Sequence, residues 1–192
     1  CDIDGGVCGC RRMEGTEAMA RMILAGAALA AASMPLAAQA RVLGSDAASC
    51  VQRDGSAIEV TIQGLKDRTG SLKLELYPAT EEDFLKDDRD LIKEGKFFRR
   101  VRVPTPSADP ITLCIKAPAP GRYALFVTHD RDGKNKFNGW TDGAGVPSNE
   151  RLGRSKPKLS QAIVTVPRGV ARVTVRAQYL RGVIPSFGPV GR

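Results

Sequence analysis

A chain of 192 residues with 29 Lys and Arg against 21 Asp and Glu holds one domain of ordinary size plus extensions, and its positive balance favours anionic neighbours. Its single His excludes a His-rich metal centre. Its longest apolar run is too short to cross a bilayer of about 30 Å, which excludes a permanent membrane helix.

Residues 1–18 are rich in Cys, Gly and charge without apolar periodicity, and read as a non-native or disordered extension with translation starting at Met13 or Met19. A secretory signal follows over 19–40. Arg21 supplies the positive start, Met22 to Met34 the short apolar run, Pro35 the break, and Ala38-Gln39-Ala40 the cleavage site. No Cys follows that site, so no lipid anchor is indicated. Without Arg11, Arg12 and Arg21, and without Asp2, Asp4, Glu14 and Glu17, the processed chain carries 26 basic and 17 acidic residues, a net charge near +9. Export to the periplasm or beyond makes an anionic envelope component or polysaccharide the expected partner, and nucleic acid not. The processed chain keeps two cysteines, Cys50 and Cys114, and an even pair in an exported chain predicts one disulfide.

Residues 41–56 form an N-terminal lead. From Ala57 to Gln63 apolar and polar residues alternate, as in a half-buried strand. A turn over 64–70 leads to a second alternating run, 71–77, with Leu72, Leu74 and Leu76 on the core face. Thr80 with Asp83 three positions later has the spacing of a capping box and predicts a short helix or ordered crossover near 80–94. Strands are expected over 96–103, 111–115 and 122–128. Pro104, Pro106 and Pro110 confine 104–110 to a loop, since proline cannot donate to a ladder. The stretch 129–160 is rich in Gly, Pro, Asn and Lys and reads as a long functional loop. Strands over 161–166 and 170–179 close the domain, and 180–192 reads as a flexible tail. The pattern predicts an all-β domain over 57–179, an antiparallel two-sheet sandwich of about seven strands.

The chain resembles the bacterial domain-of-unknown-function 2141 family over roughly 58–179. The resemblance rests on 58–65, on 70–77, on the run from Pro120-Gly121 through Tyr123 to His129-Asp130 with its following loop, and on Gly145 to Glu150. It implies an exported immunoglobulin-like or transthyretin-like sandwich and no known reaction. In relatives the loop is richer in Asn and Gly, like a calcium loop. Here Lys134 and Asn135 depart from that pattern.

Three readings of the loop follow. As a calcium site it offers Asp130, Asp132, Asn138 and Asp142, but Lys134 falls where an oxygen ligand belongs and no terminal Glu is present. The alternative is that Asp130, Asp132 and Asn135 form Asx-turns that satisfy the loop backbone. As a hydrolase site it offers His129 with Asp130 or Asp132, although neighbouring strand residues point to opposite faces, and no nucleophile motif accompanies them. As a binding surface it offers His129, Asp130, Asp132, Lys136, Phe137 and Trp140, aromatics beside cations that suit sugars or anionic lipids. The expectation is a non-enzymatic, exported binding or envelope-associated module acting through 129–158, without a cofactor other than calcium. A purely structural envelope protein is the third alternative.

Overall fold

A computed structural model describes residues 41–190 of the chain. The predicted extension and signal segment, 1–40, lie outside the described residues. Among the described residues no helix is long and apolar enough to cross a membrane.

The chain is mostly β. Its elements are β1 (Val42–Leu43), α1 (Ala47–Gln52), β2 (Ser56–Gln63), β3 (Ser71–Pro78), α2 (Asp88–Lys93), β4 (Arg99–Pro104), β5 (Ile111–Ala117) and β6 (Gly121–Asp130). There follow β7 (Gly143–Gly145), α3 (Leu159–Ala162), β8 (Ile163–Val166), β9 (Gly169–Arg176), β10 (Gln178–Arg181) and β11 (Ser186–Pro189). One sheet has the order β1-β5-β2-β9, and the other β11-β10-β7-β6-β3-β4, with β8 also on β6. The alternation that predicted β2 and β3 is what makes the core. Ile58, Val60 and Ile62 from the first sheet meet Leu72, Leu74, Leu76, Leu125 and Val127 from the second in one fully buried cluster. Each such side chain contributes roughly 1.5–3 kcal/mol by leaving water.

Four expectations are corrected. There are eleven strands among the described residues rather than about seven, because several are only two to four residues long. Pairing is mostly but not wholly antiparallel: β2 runs parallel to β9 and β1 parallel to β5. The first of these arises because β8 pairs with β6 in the other sheet; the chain then crosses at Pro167-Arg168 and enters beside β2 in the same direction. A short helix does lie within 80–94, as expected, but it does not start at Thr80: the Asp83 N–H donates to Thr80 Oγ1 at 3.2 Å and that hydroxyl donates to Asp83 Oδ2 at 2.7 Å, half of a capping box that closes only a turn. Leu85 has a left-handed backbone, φ 61°, that stops propagation, and α2 begins later with Asp87 capping the Arg89 N–H. Finally, the tail does not fray through 189, because β11 pairs antiparallel with β10 from Gln178↔Pro189 to Arg181↔Ser186.

The predicted disulfide joins Cys50 of α1 to Cys114 of β5, with Cα atoms 6.0 Å apart. Asp46, just before α1, binds the Arg99 guanidinium and accepts the Lys116 N–H at 2.8 Å. Burial opposes ionisation of that carboxyl, but Arg99 and the Lys116 amide outweigh it and lower its pKa.

One arrangement positions the rest. On the ten-residue β6, β3 pairs with residues 123–130 along one side. β7 and β8 share the other side end to end, opposite Val127–His129 and Gly121–Ala124 respectively. The long loops between β6, β7 and β8 therefore fall over the outer face of the second sheet. There they bury a second cluster of Tyr77, Ala124, Phe126, Ala144 and Leu152.

Candidate functional site

The site begins where β6 ends. His129 and Asp130, adjacent in sequence, are both buried. His129 Nε2 lies 2.8 Å from the Thr69 carbonyl, which only accepts, so that nitrogen carries the proton. Nδ1 must then accept, and Tyr179 donates to it at 2.6 Å. The same Tyr179 oxygen accepts the Lys66 N–H at 3.1 Å. This relay is satisfied by a neutral imidazole, and burial depresses the His129 pKa. Burial likewise pushes the Tyr179 phenol up to about 12. Gly143 makes the seating of Tyr179 feasible: a Cβ there would stand 2.5 Å from the phenol ring. His129, expected on the binding surface, is therefore corrected to an interior residue with both ring nitrogens engaged.

Asp130 is also corrected from surface to interior. Its Oδ2 accepts the Asn135 N–H at 3.1 Å and lies 3.4 Å from both Lys73 Nζ and Arg102 Nη2. Lys73, itself 3% exposed, also donates to the Asn135 carbonyl at 3.1 Å. One oxygen of each of Asp130, Asp132 and Asp142 comes within 4.8 Å of the others. Asp142 accepts the Arg131 and Asn138 amides at 3.0 and 2.8 Å. Asp132 Oδ1 accepts the Lys134 amide at 3.0 Å and Asn138 Oδ1 the Trp140 amide at 3.1 Å, both two-residue Asx-turns. Asn138 thus spends its side-chain oxygen on the backbone. Asp130 Oδ1 and Asp132 Oδ2 are buried without a hydrogen-bond donor, although Lys134 Nζ stands 3.4 Å from the latter. Arg131 braces the loop from the other side, donating to Asp67 and, at 2.6 Å, to the Thr141 carbonyl. The hydrogen bond from Arg131 holds the Asp67 carboxyl far below its ordinary range.

With its base locked in this way, the loop extends Phe137 across the outer face of the second sheet. Phe137 packs edge-on to Phe126, centroids 6.2 Å apart, and tilts against Phe187 at 6.1 Å. These rings, with Tyr77 and Leu152, wall a groove of about 610 Å³. Lys136, Arg154 and Lys156 also line it, and all three are exposed. Its acidic member, Glu75, is already held by Arg100 at 2.7 Å and by the Tyr77 hydroxyl at 3.2 Å. The arrangement offers apolar contact below and cationic contact above, within the size range of small-ligand pockets.

Of the six residues expected to touch a ligand, Lys136 and Phe137 line this groove. Asp132 belongs to the carboxylate cluster, and Trp140 stands 77% exposed outside the groove. Tyr77, Phe126 and Phe187 escaped sequence reading. Tyr77 and Phe126 read as strand positions with an unassigned outer face, and Phe187 lay in the supposed tail. The basic residues of 151–158 were the one local signal for the rim.

No curated protein and no solved structure matches the chain. The model of a family described as an uncharacterized protein conserved in bacteria (DUF2141) matches residues 60–174, from within β2 to within β9, including the loop between β6 and β8 and leaving β1, β10 and β11 outside the match. The chain belongs to that family.

Proposed function

We propose that the protein is an exported, non-enzymatic binding module with an immunoglobulin-like or transthyretin-like sandwich, which takes an anionic, partly apolar envelope component into the groove over β3 and β6. The observation that carries this is the pairing of the Phe126–Phe137–Phe187 walls with three exposed cations, none of which has a carboxylate within 4.0 Å among the described residues. Periplasmic location accords with the disulfide, which persists in oxidising compartments. The engagement of both His129 nitrogens weighs against the hydrolase alternative.

The test is calorimetric titration with dodecyl phosphate and, as the uncharged control, dodecyl maltoside, each below its micellar concentration. Saturable binding of the anion alone is expected. Phe137→Ala and Lys156→Gln should each weaken it roughly tenfold, the equivalent of one lost aromatic or charged contact. Equal binding of both amphiphiles, or of neither, refutes the reading.

The donorless Asp130 Oδ1 and Asp132 Oδ2 favour a second role for the loop, holding a hard cation with Asp142. Calcium at about 1 mM, the working range of extracellular sites, should then raise the melting temperature of the wild type but not of Asp132→Asn. An unchanged wild-type melt refutes that role.

A further inference from the structure

A second cavity, of about 690 Å³, lies at the edge where the two sheets approach each other, and its character is opposite to that of the groove. Arg151, Arg176 and Arg181 line it together with Gln63, Thr174 and Gln178, and no Asp or Glu does. Among the described residues none of the three arginines has a carboxylate within 4.0 Å, whereas Arg68, Arg99, Arg100, Arg102, Arg131 and Arg172 all do. Each guanidinium has five N–H donors. Arg151 directs Nε to the Phe187 carbonyl at 3.4 Å, and Arg181 directs Nη1 to the Pro189 carbonyl at 2.5 Å. The Arg176 guanidinium makes no hydrogen bond among the described residues, and only its backbone N–H is spent, on Asn149 Oδ1 at 2.6 Å. Most of the fork donors of the three groups are therefore unused.

The cluster is assembled by amide side chains. Asn149, held at φ 57°, donates to the Thr174 carbonyl at 2.7 Å and accepts from Arg176 N, which fastens the chain before Arg151 to β9. Gln178 is 1% exposed; it accepts the Leu152 N–H at 3.0 Å and donates to the Glu150 carbonyl at 2.7 Å, which fastens the same segment to β10. Residues 151–153 and 187–188 thus divide the two cavities: Leu152 and Phe187 face the aromatic groove, while Arg151 and Gly188 face the arginines.

Three like charges gathered without a counter-ion oppose folding unless an anion offsets them. Guanidinium forks match the oxygens of a phosphate or carboxylate two at a time, and three forks suit the three terminal oxygens of a phosphomonoester dianion better than a planar carboxylate. The volume exceeds the needs of a bare ion and falls in the range for small organic ligands. The remaining wall is hydroxyl and amide, not aromatic. We infer that this cavity binds a phosphomonoester carried on a polar body of sugar size, at a site separate from the aromatic groove.

The experiment is calorimetric titration of the folded protein with glucose 6-phosphate, inorganic phosphate, glucose, and phosphatidylglycerol vesicles. Saturable binding of glucose 6-phosphate is expected, inorganic phosphate weaker by roughly tenfold and glucose silent, since charge-assisted contacts dominate and the sugar adds to them. Arg176→Gln and Arg151→Gln should each weaken glucose 6-phosphate roughly tenfold or more, the usual effect of losing a charged hydrogen-bond partner. Arg122→Gln removes the same charge from an exposed position of β6 outside the cavity and should leave binding unchanged. The arginines are exposed, so a melting curve of each variant confirms folding independently of binding. Absence of saturable glucose 6-phosphate binding, an equal loss in Arg122→Gln, or binding to the vesicles alone overturns the inference.

Discussion

Native stability should fall as the solution is acidified from about pH 7.5 to about pH 5, and His129 should be the cause. In the folded chain the imidazole is 1% exposed, donates a hydrogen bond from Nε2 to the Thr69 carbonyl and accepts one at Nδ1 from the Tyr179 hydroxyl. A second ring proton would compete with the tyrosine hydroxyl, so the folded pKa is depressed, burial being the main cause. The unfolded chain keeps an imidazole with pKa near 6.5. Below that value the unfolded state binds a proton that the native state refuses, so stability is lost as pH falls and is fully present above it. If the native ring stayed neutral throughout, the loss by about pH 5 would reach a ceiling of about 2 kcal/mol. The assay is urea unfolding at a series of pH values, followed by far-ultraviolet circular dichroism because the one Trp, Trp140, is mostly exposed and reports poorly. The chain has a single His, so His129→Gln should be less stable at neutral pH yet lose this pH dependence. Wild-type stability that stays level or rises between about pH 7.5 and about pH 5.5 would refute the neutral relay.

Two further predictions concern the frame around the site. Cys50→Ala with Cys114→Ala opens a link between residues 64 apart, worth about 4 kcal/mol in the chain-entropy account, so the melting temperature should drop by roughly 10 °C relative to the oxidised wild type. A drop of a degree or two would show that the link adds no stability. Asp130→Asn leaves Lys73, 3% exposed, without its carboxylate and should cost about 3 kcal/mol in urea unfolding, whereas Asp132→Asn, nearer solvent, should cost well under half of that. Equal costs would refute the assignment of Asp130 as the buried partner.

What sequence makes legible here is what depends on neighbours in sequence. Strict alternation located β2 and β3, and the even pair of cysteines beyond the predicted signal segment located the disulfide. The parallel β2–β9 pair was hidden because it depends on where β8 docks, a contact with β6 some forty residues earlier. Lys73 and Glu75 read as the solvent side of β3, but they are 3% and 8% exposed because the loops fold back over them. Their charges mark a covered face only once Asp130 and Arg100 are seen opposite. The arginine cavity was illegible for the same reason. Arg151, Arg176 and Arg181 look like ordinary solubility charges until Asn149 and Gln178 bring them together.

The loop after β6 has the acidic spacing of a cation cage, and its surroundings explain how it keeps that shape with Lys134 in place of a ligand. A divalent ion in such a loop supplies positive charge at the centre and a point on which backbone and carboxylate oxygens converge. Lys73 supplies both from outside the loop: its ammonium lies beside Asp130 Oδ2 and the Asn135 carbonyl, on a strand that the core cannot let move. Arg102 adds a second fixed charge at the same carboxylate, and Arg131 ties the loop to Asp67. Order in the loop is therefore built into the protein itself, and Phe137 and Lys136 are carried to the groove on a base already set. Any cation held at Asp132 and Asp142 would tighten that base rather than create it. Calcium should accordingly raise stability without being needed for Phe137 to reach its ligand, and dodecyl phosphate binding should survive removal of divalent ions by a chelator.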